Sequence, residues 1–153
     1  MTPAVPWLIH IEGAHRVGKD TLGGELLKQS DYSHVVTARA ACSNHAFAHL
    51  FGRSYDLHAQ LLDLSRLQRF LIVVLNPPLD TSLQGALVKK KHGSLPYSNS
   101  ELNDQISYAA GLAEGGYGIE VRRLTAWSHP ASVMAEQILQ ELFNAEQSSD
   151  SKR

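Results

Sequence analysis

An α/β fold, with a parallel sheet covered by helices on both faces, is predicted by two features of the sequence. Short apolar runs at residues 7–11, 34–37, 70–75 and 117–124 alternate with segments of helical period, the pattern of a buried parallel sheet. The first run leads directly into a glycine-bounded loop that opens a helix, a local order with a mechanical meaning developed below.

The elements follow in order. Residues 1–6 hold two prolines and form a short lead-in. The run from Trp7 to Ile11 ends at Glu12-Gly13 and reads as a buried strand. Residues 19–29 place Leu22, Leu26 and Leu27 on one helical face. Ser30 to Ser33 is turn-like, and residues 34–37 make a second strand. Residues 43–51 and 56–68 are expected to be helical, the latter with Leu57, Leu61, Leu62, Leu64 and Leu67 as apolar positions. The strand over residues 70–75 is stopped by Asn76-Pro77-Pro78. A helix to about Lys90, a loop over 91–100 and a helix to about Glu114, ended by Gly115-Gly116, come next. Residues 117–124 are the last strand and 130–143 an amphipathic helix. A single domain over residues 1–143 and a disordered polar tail over 144–153 are expected.

A length of 153 residues is that of one domain. With 43% hydrophobic and 19% charged residues, the composition is that of a soluble globular protein. A net charge of −1 gives no general attraction to nucleic acid or membrane, so any basic patch must be local. The lone Cys42 excludes an internal disulfide framework. The first residues lack a basic region, and no apolar run approaches a membrane span. A cytoplasmic location is expected, without a membrane partner.

Residues 13–19, Gly-Ala-His-Arg-Val-Gly-Lys, fit the GxxxxGK pattern of a Walker A phosphate loop, between a strand and a helix as the mechanism requires. Gly13 and Gly18 permit the turns that aim backbone N–H groups at phosphate oxygens, and the helix N-terminus adds its dipole. Lys19 would bridge the β- and γ-phosphates. The fold expected is therefore a three-layer P-loop NTPase fold with a central parallel sheet. The nucleotide-binding residues expected are Gly13, Ala14, His15, Arg16, Val17, Gly18, Lys19, Asp20 and Thr21. The pattern asks for Ser or Thr after the lysine to ligate Mg²⁺, and this chain has Asp20 followed by Thr21. A carboxylate is a good ligand for a hard cation. It is equally a good residue near a helix N-terminus, and both readings stand.

Three stretches resemble the thymidylate kinase-like family of nucleoside and nucleotide kinases. Residues 11–19 are similar to its EGxDRxGKS loop, with Arg16 at the loop arginine that one branch uses on the transferred phosphoryl group. Residues 35–47, VVTARAACSNHAF, are similar to its strand-then-DRYxxSxxAF segment, matching at Arg39, Ser43, Ala46 and Phe47. From Phe70 to Leu142 the order is also similar: a strand ending in Pro-Pro, a helix with basic lid residues Lys89, Lys90 and Lys91, an acidic helix near Glu101, and a final strand leading into Leu124-Thr125-Ala126. The resemblance implies an ATP- and Mg²⁺-dependent kinase, with Lys19, Arg16, Asp20 and Arg39 as catalytic residues and Asp20 at the metal. It places Trp127 beside the adenine, where it either stacks on the base or packs the last helix. The lysines either close over the phosphates or form a solvated helix end.

The chain also departs from the family. The segment that would carry the acceptor's monophosphate-binding arginines is missing between Gln29 and His34. His15 stands where the family has an aspartate that touches the acceptor sugar, and Ala38 where it has the aspartate of DRY. The loss at Ala38 and the gain at Asp20 are expected to be linked, the metal-organising carboxylate having moved across the site. Glu12 and Asp56 are candidate bases for an acceptor hydroxyl.

The expected function is transfer of the ATP γ-phosphoryl group to a hydroxyl of a pyrimidine deoxynucleotide, with 5-hydroxymethyluracil within DNA as the acceptor that fits the departures, as in viral DNA hypermodification. The alternatives are a free deoxynucleoside or deoxynucleoside monophosphate kinase and a catalytically degenerate nucleotide-binding protein. The partners expected are ATP and a nucleotide or DNA acceptor, and a homodimer is admitted.

Overall fold

Leu8–Gly13, Val35–Ala38, Phe70–Asn76 and Val121–Thr125 form strands β1 to β4. In the computed structural model, which describes residues 5–78 and 82–151, they make one four-stranded sheet in the order β2-β1-β3-β4. All three pairings are parallel. β1 pairs with β3 from Leu8↔Phe70 to Gly13↔Leu75 and with β2 from Leu8↔Val35 to Ile11↔Ala38. This register brings Gly13, Ala38, Asn76 and Thr125 to the carboxyl edge of the sheet, where ligands of open α/β folds bind.

The helices are α1 (Lys19–Gln29), α2 (Ala41–Leu50), α3 (Leu57–Ser65), α4 (Ser82–His92), α5 (Asn99–Tyr117) and α6 (Ala131–Ser151). α1 packs on α6, while α2 and α3 pack on α5, giving two helical layers about the sheet. β3 is apolar and buried through six successive residues because both its faces are covered. Ile9, Ile11, Leu22, Leu26, Ile72, Leu75, Leu102, Ile106 and Ile138 form the buried centre of this three-layer α/β fold.

Several boundaries differ from expectation. α5 runs through Gly115-Gly116 to Tyr117 and is capped by Gly118, so β4 starts at Val121 and not at residue 117. Burial of Ala109, Ala110 and Ala113 anchors the last turns of α5, and packing overrides the modest helix cost of glycine. α4 extends to His92. α3 ends at Ser65, with Leu57, Leu61 and Leu64 in the core and Leu62 and Leu67 exposed. The tail expected to be disordered from residue 144 is instead helical to Ser151. Its anchor is Glu146, which accepts hydrogen bonds from the Trp7 indole (3.1 Å) and from Arg69 (2.6 Å). Residues 1–4 of the lead-in, 79–81 before α4 and 152–153 of the tail lie outside the described residues.

Candidate functional site

The loop between β1 and α1 turns where only glycine fits. A Cβ on Gly13 would stand 2.7 Å from a Val17 methyl and 2.9 Å from the carbonyl oxygen of Leu75. Gly18, at φ 93°, is the N-cap of α1. Arg16 also adopts a left-handed conformation, φ 59°, which a non-glycine residue holds only when its surroundings compel it. The side chain of Lys19 folds back over the loop, its Nζ donating to the carbonyls of Gly13 (2.9 Å) and Ala14 (2.6 Å). Burial pushes its pKa down to about 8; the nearby Arg39 and Lys91 act in the same direction, against Glu12 and Asp20.

Beside the loop lies a cleft of about 530 Å³ lined by Arg16, Gly18, Lys19, Asp20, Thr21, Ala38, Arg39, Leu87, Lys91, His92 and Trp127. It brings together Arg16, Lys19, Asp20, Arg39 and Trp127, residues selected from three separate stretches of the sequence. A second hollow of about 450 Å³ continues past Trp127 between the loop and the start of α6, lined by Val17, Thr21, Ser128, Pro130 and Met134 among others. Trp127 itself is held at φ 61° just after β4 and lines both hollows. Of the three lid lysines, only Lys91 lines the cleft; Lys89 and Lys90 are exposed on α4.

Asp20 lies in the first turn of α1 but does not cap it by hydrogen bonding. Its carboxylate is exposed toward the cleft with Thr21 beside it. Among the described residues, no group of three or more His, Cys, Asp and Glu side chains could hold a metal ion. Ala38 lines the same cleft as Asp20.

The candidate bases are otherwise engaged. Glu12 is fully buried and accepts from Ala40 N–H (2.9 Å), Ser43 N–H (3.0 Å) and Ser43 Oγ (2.7 Å). It ties β1 to the start of α2. Asp56 caps α3, accepting from Ala59 N–H (3.0 Å). Both carboxylates, candidate bases in the sequence, thus have structural partners here.

His15 is turned away from solvent, 4% exposed, with its ring among Phe47, His92 and Tyr97. Its Nε2 lies 2.7 Å from the Tyr97 hydroxyl and its Nδ1 3.4 Å from Arg39. An arginine can only donate, so Nδ1 is the acceptor and Nε2 carries the proton to Tyr97. Burial, with His92, Arg39, Lys19 and Lys91 adding, lowers its pKa to about 4. The backbone of His15 is held too: its N–H donates to Asn99 Oδ1 (3.0 Å) and its carbonyl accepts from Gln84 Nε2 (2.8 Å). Gln84, His92, Tyr97 and Asn99 were not singled out by sequence reasoning. No local pattern marks contacts that span some seventy to eighty residues of chain.

No protein-family model and no curated protein matches the chain. Among solved structures, the fold is similar to that of the YorR protein of Bacillus subtilis, whose crystal structure is a complex with phosphorylated GDP. The match has a TM-score of 0.65 at 15% sequence identity and covers 92% of this chain and 98% of that one. At that identity the likeness is one of fold, and the fold is the three-layer P-loop arrangement with a central parallel sheet.

Proposed function

We propose that the chain is a phosphotransferase that moves the γ-phosphoryl group of ATP to a hydroxyl of a pyrimidine deoxynucleotide, with 5-hydroxymethyluracil within DNA as its acceptor. The observation that carries the phosphotransferase reading is the grouping of Lys19, Arg16, Arg39, Lys91 and Asp20 around one strand–loop–helix cleft. Phosphoryl transfer asks the protein mainly for positioning and for positive charge where charge develops. Here the loop amides and Lys19 hold the donor phosphates, and Arg16 and Arg39 face the transferred group. Mg²⁺, when bound with the triphosphate, supplies further charge neutralisation, and Asp20 with Thr21 are the residues that would hold it. The acceptor oxygen bonds to the γ-phosphorus as the bond to the ADP oxygen breaks. The hydroxyl proton passes to solvent. Trp127 and the hollow beyond it suit the base of the donor.

Three features support an acceptor presented on a strand. His15 and its aromatic neighbours fill the position that resembles an acceptor-sugar contact. The cleft is open and cationic. Beyond it, Phe47, Phe51 and Tyr97 lie with ring centroids 5.6–6.5 Å apart, and the Arg53 guanidinium sits 5.4 Å over the exposed Phe51 ring. Aromatic faces beside arginines are the surface that single-stranded nucleic acid uses. The competing reading, a kinase of free nucleotides, is favoured by the phosphorylated GDP in the YorR complex.

The test is incubation with γ-labelled ATP and Mg²⁺ against thymidine monophosphate, 5-hydroxymethyl-deoxyuridine monophosphate and DNA containing 5-hydroxymethyluracil, at matched concentration. Label on the DNA is the expected result. Efficient labelling of the free monophosphates with none on DNA would establish the competing reading.

A further inference from the structure

The phosphate loop is gripped from outside at His15. Asn99, the first residue of α5, offers its side-chain amide to both backbone groups of His15: Oδ1 accepts from the N–H at 3.0 Å and Nδ2 donates to the carbonyl at 3.4 Å. Gln84 of α4, 2% exposed, donates to the same carbonyl at 2.8 Å. Flipping Asn99 would set its amine against the His15 N–H, and flipping Gln84 would set its oxygen against the His15 carbonyl, so both orientations are fixed by the contacts themselves.

The consequence lies on the other side of the peptide. In a trans peptide the N–H points opposite to the carbonyl of the preceding residue. Pinning the His15 carbonyl toward Gln84 and Asn99 therefore turns the Arg16 N–H the opposite way, away from both amides. It also holds Arg16 at φ 59°, a conformation that costs an unsupported arginine on the order of 1 kcal/mol or more. Meanwhile the His15 N–H is occupied by Asn99 and is withdrawn from the set of amides that face phosphate.

We infer that Asn99 and Gln84 are positioning residues for the phosphate site, acting through the His15 carbonyl to aim the Arg16 amide at the bound triphosphate. The inference rests on the nucleotide-binding reading above. It also explains why α4 and α5 reach the loop: the segment that carries Lys91 and His92 into the cleft is fastened to the phosphate cradle at both ends.

The experiment uses the full chain with Gln84→Met, which keeps the volume and removes the donor, and with Asn99→Ala. The dissociation constant for a non-hydrolysable ATP analogue with Mg²⁺ is measured beside the thermal midpoint and the amide exchange of residues 16–18 without ligand. Loss of one preorganised amide should weaken the analogue about tenfold in each variant, with faster exchange at Arg16 and the fold retained. Should Asn99→Ala fail to fold, Gln84→Met decides. Folded variants with wild-type affinity and wild-type exchange at Arg16 would overturn the inference. A wild-type chain that binds no nucleotide would overturn the proposed function instead, and the ligand-free exchange would still decide whether the loop depends on the clamp.

Discussion

The amine of Lys19 lies 2.6 Å from the carbonyl oxygen of Ala14, bonded to the same loop that is proposed to cradle phosphate. The lysine is held over its own loop by carbonyls that a triphosphate would outcompete. Buried and near other cations, it has a pKa lowered from 10.5 to about 8. In the free protein it therefore loses its proton as pH rises through about 8, whereas bound phosphate favours the ammonium. ATP binding should take up a proton near pH 8.5, and affinity should fall as pH rises above 8. Calorimetry in two buffers of different ionisation enthalpy measures the uptake. It should vanish in Lys19→Met, and its absence in wild type would show that Lys19 does not meet the phosphates.

Asp20 and Ala38 line one cleft, which makes the proposal that a metal-organising carboxylate has moved from position 38 to position 20 testable. Asp20→Ser should reduce Mg²⁺-dependent turnover about tenfold or more, and adding Ala38→Asp should restore part of it, since neighbours serving one ion couple non-additively. Turnover against Mg²⁺ concentration for the single and double variants is the measurement. Strictly additive losses would mean that the two positions do not share an ion.

His15 should make the fold acid-sensitive. Its folded pKa of about 4 lies below its ordinary value of 6.5, so the unfolded chain binds a proton first as pH falls. The stability His15 contributes is present above 6.5 and is lost as pH falls toward 4. His10 and His34, both lowered by burial, act in the same sense. The urea midpoint of wild type should drop between pH 7 and pH 5, and His15→Gln should narrow that drop without removing it. An unchanged gap would mean that His15 is protonated in the fold.

Much of this molecule is legible in the sequence where the signal is local. The run from Trp7 to Ile11, the two loop glycines and the leucines of α1 define strand, loop and helix within some twenty residues, and β3 is marked by its unbroken apolar run. What the sequence did not reveal is held by contacts distant along the chain. α6 continues past residue 144 because Glu146 meets Trp7 and Arg69. α5 ignores Gly115-Gly116 because its alanines are buried on neighbouring elements. Glu12 reads as a candidate base in the sequence because nothing local shows that Ala40 and Ser43 enclose it. Gln84 and Asn99 carry no motif at all, and their meaning appears only when the loop is folded against them.

Glu12 offers a prediction that separates structure from chemistry. Glu12→Gln replaces one of two carboxylate acceptors by a donor facing donors at Ala40 or Ser43. The cost should be about 1–3 kcal/mol of unfolding free energy, read from denaturant midpoints at constant slope. A variant as stable as wild type would show that Glu12 is free of these bonds and restore it as a candidate base.

The most direct measurement of the central claim is the rate of label transfer from γ-labelled ATP to acceptor by wild type and by Lys19→Ala, each verified as folded by its circular dichroism and thermal midpoint. Removing a cation that stabilises charge on the transferring group should lower the rate by about 10²–10³-fold. The account predicts transfer by wild type and a loss of that size in the folded variant. A folded Lys19→Ala protein that transfers label as fast as wild type would contradict it.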